Sequence, residues 1–171
     1  MSNKTFKYDY LRYNVDGVLR PNWPLILSLV FLCRHILLLF MIGAMSFKRG
    51  PRQGTEYLID FLSPVYNITD ILPLALLLVI GLRSPKAKAL PRLIWKHGRW
   101  LMLFSITLFL ALFGYRTQLA LSTYGPVEWA VIAANGLIAF YIWTSPFIRD
   151  LFNEFPSPIE TETPATYTKL P

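Results

Sequence analysis

The chain has 171 residues and a net charge of +7, with 54% of its residues hydrophobic and 16% charged. A soluble domain of this size carries about a quarter charged residues, and the basic excess here flanks apolar blocks instead of forming a stripe interleaved with aromatics, which sets nucleic-acid binding aside. The one cysteine, Cys33, excludes an internal disulfide and any cysteine-based zinc or iron–sulfur centre.

The arm 1–22 is polar and mixed in charge, with Asp9 and Asp16. That is unlike a cleavable signal, so the first apolar block is expected to be an uncleaved anchor. This block, about 24–47, is apolar from Ile26 to Ile42 except for Arg34 and His35. It exceeds the roughly 20 residues that cross a bilayer. Lys48, Arg49, Gly50, Pro51 and Arg52 stop it. Between Thr55 and Leu62, Tyr57, Leu58, Phe61 and Leu62 fall on one helical face, away from Glu56 and Asp60, which predicts a short interfacial helix. The second span, about 65–82, has a purely apolar part, Ile71 to Leu82, worth only about 18 Å of helix. To cross, it must carry Asp70 below the surface; a re-entrant segment is the alternative. The spans about 100–121 and about 127–148 follow the basic block Arg83 to Arg99. The tail 151–171, rich in Pro, Thr and Glu, reads as disordered. No internal repeat is evident. The expectation is an all-α integral membrane protein, a four-helix transmembrane bundle at 23–150 with an interfacial helix between its first two spans.

Outside the spans, the arm carries four Lys and Arg, the central loop six and the tail two, against four on the other side (Lys48, Arg49, Arg52 and Arg116). The positive-inside rule then puts both termini and the central loop in the cytoplasm. Trp23, Trp95 and Trp100 suit the aromatic belt of that face, and Tyr66, Tyr124 and Trp129 the opposite one.

Ionisable groups deep in a bilayer are costly and need partners. Counting about 1.5 Å per residue from the cytoplasmic ends puts Arg34 about 17 Å deep, Asp70 about 20 Å and Asn135 about 21 Å. This predicts an Arg34–Asp70 pair, with Asn135 and His35 completing the hydrogen bonding. The cluster reads either as a staple fixing helix register or as a proton, ion or anionic-substrate site. His35 and His97 differ too much in depth to hold a haem. Ser105 and Thr107 are expected to bond back to their own helix. Asp150 and Glu154 read as a solvated face. No signature of hydrolase or nucleotide chemistry occurs. No catalytic residue, metal ligand or cofactor is therefore assigned.

The segments Tyr13-Asn14-Val15-Asp16-Gly17-Val18-Leu19-Arg20-Pro21, Phe31-Leu32-Cys33-Arg34, Gly43-Ala44, Leu82-Arg83-Ser84-Pro85 and Trp95-Lys96-His97-Gly98-Arg99 occur in this order. The order resembles the YfeZ-like bacterial inner-membrane proteins, a family of unknown function, over about residues 8–150. The resemblance implies a helical bundle in the bacterial inner membrane and transfers no catalytic residue. Asp16-Gly17 reads as a turn that lays the arm, with Tyr8, Tyr10, Leu11 and Tyr13, on the cytoplasmic face. There it meets lipid headgroups, a partner, or the chain's own bundle. The leading expectation is a non-enzymatic accessory or interaction subunit in the lipid bilayer, with a membrane-protein partner or as a homo-oligomer. The alternative is an oligomeric small-solute or ion transporter or channel component built on Arg34 and Asp70.

Overall fold

The computed structural model describes residues 7–14, 18–49, 64–116 and 124–156, and within them all regular elements are helical. After a 3-10 turn at Tyr10–Arg12 come α1 (Trp23–Leu32), α2 (Arg34–Arg49), α3 (Pro64–Leu82), α4 (Ala89–Lys96), α5 (Gly98–Arg116), α6 (Pro126–Thr144) and α7 (Pro146–Asn153). The expected interfacial helix at 55–62, the far end of the third span and the tail beyond Pro156 lie outside the described residues.

Local chemistry sets the ends. Asn22 caps α1, its side chain accepting the Leu25 N–H at 3.3 Å, with Pro24 in the first turn, where no backbone donor is needed. Ser145 closes α6, since the residue before a proline leaves helical geometry. Its hydroxyl then caps α7 at the Ile148 N–H, 3.4 Å away. The fourth span, expected to run to 148, thus ends at Thr144. The chain turns there into α7, which buries Phe147, Ile148, Leu151 and Phe152 on one face. Ordered, packed chain continues to the buried Pro156.

The core sits at the end of the bundle that holds α4 and α7. Leu25 and Leu29 of α1, Leu76 and Val79 of α3, Trp95 of α4, and Met102 and Ile106 of α5 meet the apolar face of α7 there. α3 is the central helix, packing on α1, α2, α4 and α5. Gly98 starts α5 because a Cβ at that position would run into the Phe152 ring and the Leu76 side chain. α6 is peripheral, packed mainly along α5, with Leu137, Phe140 and Trp143 exposed.

α5 and α6 are long and apolar enough to cross a membrane, and α1 with α2 makes a third candidate if that bent pair is one span. α3 contributes the shorter apolar stretch Tyr66–Leu82. The first span is not the continuous helix expected over 24–47. It breaks at Cys33, where α1 and the beginning of α2 meet at a 68° bend. No proline or glycine stands at the break, so its cause must come from a neighbouring element.

Candidate functional site: the helix break at Cys33

The cause is Asp70 of α3. In an unbroken helix the His35 and Ile36 N–H groups would donate to Phe31 and Leu32 carbonyls. Both instead donate to Asp70 Oδ2, at 2.8 and 3.1 Å. A carboxylate has thus replaced two backbone acceptors and capped the start of α2. The unsatisfied N–H groups and the positive end of the helix dipole favour an anion at that position. Asp70 Oδ1 lies 3.0 Å from His35 Nδ1. Because a carboxylate only accepts, the imidazole donates through Nδ1. The Thr69 hydroxyl stands 3.1 Å from Oδ1 and 2.7 Å from the Tyr66 carbonyl, and its one proton serves the nearer oxygen. Asp70 is 0% and His35 1% exposed. Tyr66 and Phe109 cover the imidazole, with centroids at 5.3 and 5.7 Å. Cys33 is buried against the Asp70 carbonyl, Sγ to O 3.8 Å.

Arg34 is not the partner of Asp70. Its Nη1 donates to the Phe31 carbonyl at 3.2 Å, an oxygen that the helix break frees. The guanidinium lies between the Phe31 and Phe109 rings, 4.6 and 4.3 Å from their centroids. Such contacts are worth up to about 2 kcal/mol each when desolvated. The expected Arg34–Asp70 pair is therefore replaced by His35–Asp70, because the carboxylate is taken up by the start of α2. Arg34 Nε and Nη2 are buried with no hydrogen-bond partner among the described residues.

Asn135 is fully buried on α6 but makes no hydrogen bond to the other three. Its Nδ2 donates back to Val131 O at 2.8 Å, and its Oδ1 is without a partner among the described residues. α5 and α6 run antiparallel, Arg99 meeting Trp143 at one end and Phe113 meeting Tyr124 at the other, so Asn135 lies beside the middle of α5. Ser105 of α5 meets α3 beside Asp70.

That contact has a sequence cause that the sequence reading missed. Pro73 has no N–H, so the Thr69 carbonyl loses its helical donor. The Ser105 hydroxyl supplies one from α5 at 2.7 Å. Thr107 does bond back to its own helix, at Leu103 O, 2.9 Å. Ser105 instead joins two helices.

A second polar assembly joins the two ends of the chain, and here too the sequence reading fell short. Asp150 accepts from Lys7 Nζ and Tyr8 Oη, both at 2.7 Å, and is no solvated face. Glu154 accepts the Leu19 N–H at 3.0 Å. Arg83, at the end of α3, donates to the Leu19 carbonyl and, at 2.8 Å, to the Glu154 carbonyl, and lies over the Trp95 ring. Trp95 Nε1 donates to the Leu151 carbonyl at 2.9 Å. The arm thus packs on its own bundle, with Tyr8 edge-on to Phe147 and Arg12 over the same ring. Burial pulls Arg83 down to about 10, an effect the Glu154 charge partly opposes. The hydrogen bonds from Lys7 and Tyr8 hold Asp150 below its ordinary value. The available signal was the Asp150/Glu154 spacing on the last helix, opposite an arm of cations and tyrosines.

Among the described residues no three His, Cys, Asp or Glu side chains gather as a metal site. No curated protein and no solved structure matches the chain. A family model described as a protein of unknown function, DUF2919, matches residues 8–154, a stretch that begins in the docked arm and ends at Glu154. That stretch takes in the arm, the broken helix pair, the Asp70 cap and the clasp of the two ends, and the chain belongs to the DUF2919 family.

Proposed function

We propose that this protein is a multi-pass protein of the bacterial inner membrane, with both termini cytoplasmic, and a non-enzymatic accessory or interaction subunit there. In this reading α1 with α2, α3, α5 and α6 form four spans, in the inner-membrane helical bundle that the YfeZ-like resemblance implies. One observation carries the reading: Asp70, the deepest acid, is fully enclosed, and its two oxygens take the His35 and Ile36 N–H groups and the imidazole. With three of its roughly four acceptor positions taken inside the protein and none open to solvent, the carboxylate holds a helix in place and is closed to a passing ion. The exposed apolar face of α6 then serves lipid or a partner span.

The test is native mass spectrometry of the tagged protein, extracted gently from its own membrane. Stoichiometric co-purification of a different membrane protein is the expected result. Two buried nitrogens of Arg34 that have no hydrogen-bond partner among the described residues favour a second reading, an oligomeric small-solute or ion pathway. A clean homo-oligomer whose flux in vesicles disappears in Arg34→Gln would establish that one and overturn the first.

A further inference from the structure

A small cavity of about 70 Å³ opens beside the clasp of the two ends. Arg20 and Arg83 line it together with Asn14, and Pro21, Ile80 and Pro156 supply its apolar wall. The chain builds this wall deliberately close. The Tyr13–Leu19 bridge and the Asn14 N–H to Val18 carbonyl bond, 2.8 Å, fold the arm over the end of α3, and Arg83 ties the fold down at the Leu19 carbonyl.

The cavity carries an excess of positive charge. Arg20 and Arg83 both line it, against one carboxylate close by, Glu154, which accepts the Leu19 N–H and offsets part of the Arg83 charge. The carbonyls that hold Arg83 satisfy its hydrogens without cancelling its charge, and its Nε is buried with no partner among the described residues. Arg20 is exposed at the rim. Guanidinium groups converging on a small space suit the oxygens of a phosphate. At about 70 Å³ the cavity has room for a phosphate group, the rest of a larger ligand lying outside it.

Position decides where that phosphate comes from. Arg83 directly follows the last residue of α3, Leu82, which is 58% exposed, and Arg20 lies three residues before Trp23, which is 74% exposed. Apolar surface open to acyl chains thus adjoins the cavity on both helices, and Arg83, in its lining, opens the basic loop. A basic pocket at the cytoplasmic ends of membrane helices is where an anionic headgroup is drawn in.

We propose that this cavity is a binding site for the phosphate of an anionic phospholipid headgroup, held between Arg20 and Arg83. The inference rests on the membrane reading above. The full chain, in mild detergent, is titrated with phosphatidylglycerol and, separately, with phosphatidylethanolamine, and lipid adducts are counted by native mass spectrometry. The expected result is one phosphatidylglycerol retained in preference to phosphatidylethanolamine. Arg20→Gln, at an exposed position that perturbs no packing, weakens it about fivefold, the effect of one cation near an anionic surface. Lys86→Gln, an exposed loop cation outside the cavity, changes it far less. Equal loss in both variants, or no loss in Arg20→Gln, overturns the proposal. Binding of inorganic phosphate that Arg20→Gln abolishes, with no phosphatidylglycerol retained, overturns the lipid source. Carbonate extraction of cell membranes tests the parent reading separately, since a chain released by carbonate refutes membrane residence whatever the lipid counts show.

Discussion

A single carboxylate decides the course of the first span. Asp70 satisfies two backbone donors of α2 and orients His35 in a region closed to solvent. Removing one partner from such a buried arrangement costs about 3–5 kcal/mol. Asp70→Ala is therefore expected to lower the unfolding midpoint of the purified protein strongly. Asp70→Asn keeps a carbonyl oxygen for the two N–H groups and loses the charge that complements the dipole, so its cost is smaller, about 1–3 kcal/mol. Thermal unfolding of both variants in one detergent checks the order. An alanine variant as stable as wild type would mean that the α2 donors find another acceptor. The sequence made Asp70 conspicuous as a deep acid but pointed it at Arg34. Opposite charge was the visible cue, whereas the stronger claimant, a row of backbone N–H groups, carries no side-chain signature. Ser105 was missed for the same reason. Its partner is a carbonyl vacated by Pro73, four residues beyond Thr69 on a different helix.

At the scale of elements, hydropathy found the two helices long and apolar enough to cross a membrane, because α5 and α6 are continuous apolar runs. It misjudged the breaks at Cys33 and Ser145. The first comes from a tertiary contact. The second shows locally as Ser145-Pro146, within a run that stays apolar to Ile148. The arm and α7 depend on each other through Asp150, and this tie titrates. Asp150 sits below its ordinary 3.8 because the hydrogen bonds from Lys7 and Tyr8 favour its charged form. A depressed acid contributes stability that is fully present above its unfolded value and is lost as pH falls through its folded one. Lys7 is raised above 10.5 by the same contact, so its share is present below that value and lost as pH rises beyond it. The tie is whole across the neutral range. Hydrogen exchange of residues 8–14 is expected to be faster in Asp150→Asn than in wild type at pH 6, with the difference shrinking as pH falls below 3.8. No difference at pH 6 would show that the arm is held by the Phe147 contacts alone.

For the molecule as a whole, the lone cysteine reports the state of the break. Cys33 is 0% exposed and lies against the Asp70 backbone. Under native conditions a membrane-permeant maleimide is expected to leave it unlabelled, and in Asp70→Ala to label it, with full labelling of both in denaturing detergent. Labelling of the native wild type at the denatured rate would mean that the two halves of the first span separate freely. The break also has a consequence for synthesis. The donors of His35 and Ile36 are made 35 and 34 residues before the carboxylate that satisfies them. While the ribosome is still translating that interval, α1 and α2 have no reason to bend and the emerging segment is free to insert as one straight helix. Only the arrival of α3 gives the bent form its acceptor. On the membrane reading proposed above, the bend of the first segment is thus set only once the second is made, and a chain truncated before Asp70 would hold a different conformation from the finished protein.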